Sequence, residues 1–151
     1  FKDGAESVVM AGRLLGMVPD LVTQAPILGT SCGIGGFWNL ALTCHWLATT
    51  RRQLGSNHSL IGINGATNGQ DVARMMLAGA SAVGLASSVM LRGFQLITDS
   101  VAELELYCRS KGMSASEIIG LAADARKSFA EMPKLDNHWR NFIPEPIRNH
   151  Q

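Results

Sequence analysis

A chain of 151 residues, 46% hydrophobic and 17% charged, suits one soluble globular unit or a piece of a larger one. Thirteen basic residues against twelve acidic ones leave a net charge of +1, which argues against the concentrated basic face a nucleic-acid binder needs. Cys32, Cys44 and Cys108 are odd in number, far apart and without a CxxC, so reduced thiols in the cytoplasm are expected rather than a disulfide framework or a zinc site.

The chain opens on "FKDGAESVVM" with no initiator Met and runs straight into a strand-like segment, so it reads as the C-terminal part of something longer. Glu6 to Gly12, "ESVVMAG", is a short apolar run ending in Gly, the pattern of a buried strand. Arg13 to Ser31, with Pro19 and Pro26, reads as a long loop, and long loops inside compact domains are usually functional. Leu21 to Thr50 carries no formal charge, yet Gln24, Asn39, His45 and a Gly-rich centre break it as a membrane span. No signal peptide is read at the start.

"CGIGG", Cys32 to Gly36, precedes a helix expected over about Phe37 to Gln53. Trp38, Leu42 and Trp46 recur every four positions as its core stripe, His45 reads as a partly buried structural histidine, and Arg51 and Arg52 suit its C-terminal end. Ser59 to Gly65, "SLIGING", is the next strand. Asn68 can cap the helix after it, with Asp71 near the positive end of the dipole. Val72, Met75 and Met76 form that helix's inner stripe and Gly79 ends it. Ser81 to Ser87 is another strand. A helix from about Phe94 to Lys111 shows Ile97, Val101, Leu104 and Cys108 on one face, and Gly112 stops it. Ser114-Ala115-Ser116-Glu117 is a capping box expected to open a last helix to about Glu131. Residues 1–132 then form one unit. Residues 133–151 are a tail in which Trp139 and Phe142 are available for docking, while Pro144 and Pro146 argue against regular structure.

Strands alternating with helices imply βαβ units and a parallel sheet. The strands are apolar without clean alternation, as expected when both faces are covered. Three strands cannot close a barrel, and a (β/α)8 TIM barrel takes about 250 residues. The expected fold is therefore α/β, the last three-eighths of such a barrel, about strands 6–8 and their helices.

Two βα loops have the chemistry to hold an anion. Gly in Asn64-Gly65-Ala66 lets the backbone turn sharply and exposes amides, and the following helix points N–H groups at the same place. Ala86-Ser87-Ser88 repeats the arrangement with two hydroxyls. Each taken alone is equally readable as an ordinary turn; the pair together favours phosphate. Gly33-Ile34-Gly35-Gly36 would let backbone lie against a flat ring or a phosphate-bearing ligand, or serve as a linker, and it is not a GxGxxG fingerprint. Arg13 follows the first strand and is either a site cation or a surface arginine. Cys32 has no activating neighbour. No carboxylate pair, Ser-His-Asp order or metal-ligand cluster is apparent.

"GIGG" before a helix, then "IGINGATNGQDVARMMLAGASAVGLASSVMLRGFQLI", then a long helix ending in "SKG", resembles the C-terminal part of the dihydroorotate dehydrogenase family and of the related dihydropyrimidine dehydrogenase flavin domain, over about Asp3 to Phe129. The resemblance implies a (β/α)8 barrel holding FMN at the C-terminal ends of its strands, and hydride transfer between a CH–CH, dihydropyrimidine-like substrate and the flavin. By position, Gly35 and Gly36 would approach the flavin or its ribityl chain. Asn64 and Gly65 would stand for the paired glycines that bind the phosphate, and Ala86 and Ser87 for the Gly-Thr that completes its site. Asn64 and Ala86 replace glycines, tolerable where φ stays negative. Two departures bear on the substrate: Ala11-Gly12-Arg13 stands in place of an Asn-Ser, leaving Arg13 as a substrate-side cation, and Leu40-Ala41 replaces a Lys-Pro. The catalytic base would lie upstream of Phe1. A small-molecule substrate and a homo-oligomeric full-length enzyme are expected; the near-neutral charge argues against a nucleic-acid partner and the broken apolar run against a membrane. The alternative is a phosphate-binding TIM-barrel isomerase or aldolase without flavin.

Overall fold

A computed structural model describes residues 1–132. The docking reading of Trp139 and Phe142 falls outside the described residues. Three strands, β1 (Ser7–Met10), β4 (Ser59–Ile63) and β5 (Ala82–Gly84), form a sheet in the order β1-β4-β5. Both pairings are parallel, with Val8 beside Leu60 and Gly62 beside Val83. Helix α1 (Leu40–Leu54) links β1 to β4, and α2 (Gly69–Leu77) links β4 to β5. The βαβ expectation holds.

The core sits where α1 and α2 meet the sheet. Leu47, Leu60, Ala66, Met75, Ala78 and Ala80 form one buried cluster. A methyl on Gly62 would lie 3.0 Å from the Met75 sulfur and 3.2 Å from Leu47 Cδ1, so the two helices close over the middle of β4. Burying Leu47, Leu60 and Met75 contributes about 1.5–3 kcal/mol each. Along β4 only Leu60 and Gly62 are buried, and β1 and β5 alternate between half-buried and exposed. The expectation of a sheet covered on both faces is therefore corrected: among the described residues one face is covered.

The expected loop from Arg13 to Ser31 contains structure. Leu14–Gly16 (β2) and Cys32–Ile34 (β3) pair antiparallel, and an isolated Pro19–Pro26 bridge continues toward the tip. This arm was unreadable as strands because three-residue runs give no period. The α1 stripe is also corrected. Asn39, Thr43, Leu47 and Ala48 are buried, whereas Trp38 and Trp46 are 49% and 46% exposed and His45 is exposed. Reading every fourth residue from Trp38 chose the neighbouring face, because small Thr43 and Ala48 pack against the sheet where tryptophans do not fit.

Helix α4 (Gln95–Lys111) crosses α2 at Gly69, where a methyl would strike Ser100 O and Glu103 Cβ. That contact turns Leu96, Ser100 and Cys108 inward and leaves Ile97 45% and Val101 61% exposed. Leu104 and Cys108 of the expected stripe do face the core; its first half, Ile97 and Val101, is one residue, about 100°, out of phase. Gly112 ends α4 in the left-handed conformation, as expected. The Ser114–Glu117 box forms, with Glu117 Oε2 accepting from Ser114 N at 2.7 Å, but the long helix after it does not. Gly120, at φ +84°, donates instead to Met76 O at 2.9 Å, and a short helix α5 (Leu121–Asp124) and a 3-10 turn (Phe129–Glu131) follow. A further short helix, α3 (Ser87–Arg92), lies directly after β5 and was not anticipated.

Candidate phosphate-binding site

The parallel strands deliver the loops after β1, β4 and β5 to one edge of the sheet, and α1 begins at that same edge. The β4–α2 loop is held from every side. Thr43, fully buried on α1, donates its hydroxyl to Asn64 O at 2.6 Å. Gly65, at φ +124°, lies against α1 itself: a Cβ there would be 2.5 Å from Leu40 Cα and 2.6 Å from Leu40 N. Only glycine fits that approach. Asp71, 7% exposed, accepts from Thr67 N at 3.0 Å and Thr67 Oγ1 at 2.8 Å, and binds Arg74 at 2.9 Å. Asn68 caps α2 as expected, accepting from Asp71 N at 2.9 Å. Gly69 N donates to Glu103 Oε2 at 2.8 Å, anchoring the helix start to α4.

The β5–α3 loop is tied to this one. Ser88 Oγ donates to Ala66 O at 2.8 Å, and Arg92 donates to Thr67 O at 3.1 Å. The two loops thus stand side by side. Among the described residues, the N–H groups of Gly65, Ala66, Ser87 and Ser88 have no acceptor. Four free amide donors with the Arg92 guanidinium beside them make a site suited to an oxyanion.

The glycine segment joins the same edge. Gly36 N donates to Asn64 Oδ1 at 3.0 Å, and Asn64 Nδ2 donates to Gly12 O at 3.2 Å. A methyl on Gly35 would lie 2.7 Å from Asn64 Oδ1, so Gly35 is small in order to admit that carboxamide. Gly35, Gly36, Asn64 and Gly65 are therefore one cluster, reached by Ala86 and Ser87 through the Ser88 bond. Asn64 has φ +74°, correcting the expectation of a negative value; Asn tolerates this left-handed region better than other side chains. Ala86, at φ −116°, keeps the negative value expected. Arg13 is exposed and lies along β3, 3.2 Å through its Nε from a Cβ position on Gly33.

Thr43 and Arg92 were not singled out as ligand or support, though the arginine just before Gly93 was a legible sign of a short helix ending. Ser88 was read as one of two hydroxyls of the second loop; its hydroxyl is instead given to Ala66 O. Cys44, next to Thr43, has its thiol pushed up by burial, partly offset by Arg74, and stays protonated at neutral pH. Among the described residues no group of His, Cys, Asp and Glu could hold a metal, and no helix is long and apolar enough to cross a membrane.

No family model matches the chain. The dihydroorotate dehydrogenase B (NAD+) catalytic subunit of Thermococcus kodakarensis is 33% identical over 128 residues, covering 80% of this chain and 40% of that protein. The same-named subunit of Saccharolobus solfataricus is 29% identical over 121 residues, covering 79% of this chain and 41% of its own length. A crystal structure of DHODH from Eimeria tenella superposes with a TM-score of 0.68 at 20% identity, over 83% of this chain and 33% of that one. The chain thus spans about two fifths of the length of the curated relatives it matches.

Proposed function

We infer that this chain, a homologue of dihydroorotate dehydrogenase catalytic subunits over four fifths of its length, supplies the phosphate-holding edge of an FMN-dependent oxidoreductase barrel. It corresponds on this reading to about strands 6–8 of the (β/α)8 fold, with β1, β4 and β5 as the three strands. The fold likeness supports that placement, as does the sheet's uncovered face, which in a closed barrel is filled by facing side chains.

The observation that carries the proposal is the pair of loops joined by Ser88 and Ala66, which leave four N–H groups without an acceptor among the described residues and are bridged again by Arg92 to Thr67 O. Gly65, Ala66, Ser87 and Ser88 would donate to the FMN phosphate through backbone, so that the replacement of glycine at Asn64 and Ala86 does not remove a ligand. Gly36 and Gly35 would flank the ribityl side. FMN held there would supply two-electron redox chemistry toward a CH–CH donor. The chain's own residues bind and orient: the rigid loop held by Thr43 and Asp71 keeps the donors fixed in advance, which lowers the entropic cost of binding. Arg13 is a cation on the substrate side, suited to a carboxylate on a dihydropyrimidine-like substrate. The catalytic base belongs to residues outside this chain's sequence. The whole protein is read as a cytoplasmic homo-oligomer acting on a small molecule.

The test is spectroscopic. The protein carrying this segment is purified, its visible flavin absorbance recorded, and dihydroorotate added without oxygen. Bleaching of the flavin band supports both cofactor and substrate class. Flavin absorbance without bleaching keeps the cofactor and removes the substrate. A colourless protein that takes up no FMN contradicts the reading.

A further inference from the structure

Asn64 does something no glycine could do in its place. Its carboxamide touches both feet of the β2–β3 arm: Oδ1 accepts from Gly36 N, just after β3, and Nδ2 donates to Gly12 O, just before β2. Its own backbone O is held by buried Thr43, in the loop whose next residues offer the free amides. The arm has little else to fix it. β2 and β3 pack chiefly on each other, and Leu21 and Val22 at the tip are 92% and 91% exposed. A two-stranded ribbon alone is marginal in water. Gly35 leaves room for the carboxamide, and Asn64 takes φ +74° to aim it.

We propose that Asn64 is a positioning residue whose carboxamide clamps both feet of the arm to the β4–α2 loop, so that the arm and the phosphate-binding loop hold one relative placement. Arg13, next to the clamped Gly12, is thereby set at a fixed distance from the anion site. Substrate-side and phosphate-side elements are coupled through one side chain. The inference rests on this geometry and does not require the flavin reading.

Hydrogen exchange on the full chain tests it, read at the β2 and β3 ladder amides and at Gly36, with and without FMN. Asn64→Gly relaxes the backbone and removes both bonds. The expected result is an arm that exchanges roughly tenfold faster, as the loss of two modest hydrogen bonds implies, with the β4 core unchanged. Asn64→Asp separates a clamp from a space filler. At about pH 7 its carboxylate still accepts from Gly36 N but repels Gly12 O, and the arm exchanges faster than wild type. Well below the ordinary Asp value of about 3.9, at about pH 2.5, the protonated group donates to Gly12 O again and the excess over wild type at that pH disappears. Wild-type arm exchange in Asn64→Gly, or an Asn64→Asp excess that ignores pH, would overturn the clamp. Failure of wild type to bind FMN removes the flavin reading alone, because both variants are judged in ligand-free protein.

Discussion

Replacing Gly65 by Ala is the sharpest perturbation of the site's framework. Two costs add. The backbone sits at φ +124°, a region L side chains rarely adopt, at about 1–3 kcal/mol. The new methyl would stand 2.5 Å from Leu40 Cα and 2.6 Å from Leu40 N, atoms of a helix backbone that cannot rotate away, and overpacking of this kind costs about 1–3 kcal/mol. The expected loss is therefore about 2–6 kcal/mol, a large part of the 5–15 kcal/mol typical of a domain. Gly112→Ala is the control. It also has positive φ, +64°, but no atom within 4 Å of the added methyl, so only the conformational cost of about 1–2 kcal/mol applies. Urea melts of the two variants, followed by far-ultraviolet circular dichroism, give the difference directly. A Gly65→Ala loss no larger than that of Gly112→Ala refutes the close approach of this loop to α1.

Other expectations follow from the same bonds. Thr43→Val keeps the shape and removes the donor to Asn64 O, and should cost about 1–2 kcal/mol in the same melt. Asp71→Ala strips the β4–α2 loop of its buried acceptor and should destabilise by about 2–4 kcal/mol, visible also as faster exchange at Thr67 N. Ser88→Ala unties the two anion loops and should weaken FMN binding about fivefold to tenfold in a fluorescence titration, with little change in the melt. Arg51 beside Asp124 holds that carboxyl below its usual range, so the pair stabilises above the unfolded carboxylate pKa and the benefit disappears as pH falls through the lowered value. Asp124→Asn should flatten the acid limb of stability against pH, a small effect because Asp124 is exposed.

Much of this architecture was legible in the residues. The βαβ order, the Asn68 cap and the Gly79 and Gly112 stops were written in local chemistry, where one residue type has one physical use. The misses share a cause. Trp38, Trp46, Ile97 and Val101 were assigned inward by size and spacing, but helix phase is set by the tightest contact, and those contacts are Leu40 on Gly65 and Gly69 on α4. Large residues do not announce which glycine a helix will cross. The capping box at Ser114 predicted a helix start correctly and a helix wrongly, because Gly120 spends its amide on Met76 rather than on a next turn. At the site, glycine positions carried the reading, while the work of Asn64's side chain is tertiary: its partners Gly12 and Gly36 are 52 and 28 residues away.

The central claim is that these two loops hold a phosphate. Calorimetric titration of the protein with FMN and, in parallel, with riboflavin isolates that group, since the two ligands differ by the phosphate alone. Tighter binding of FMN by at least about tenfold, falling as competing inorganic phosphate is added, is the predicted result. Equal affinity for FMN and riboflavin, or uptake of neither, would contradict it.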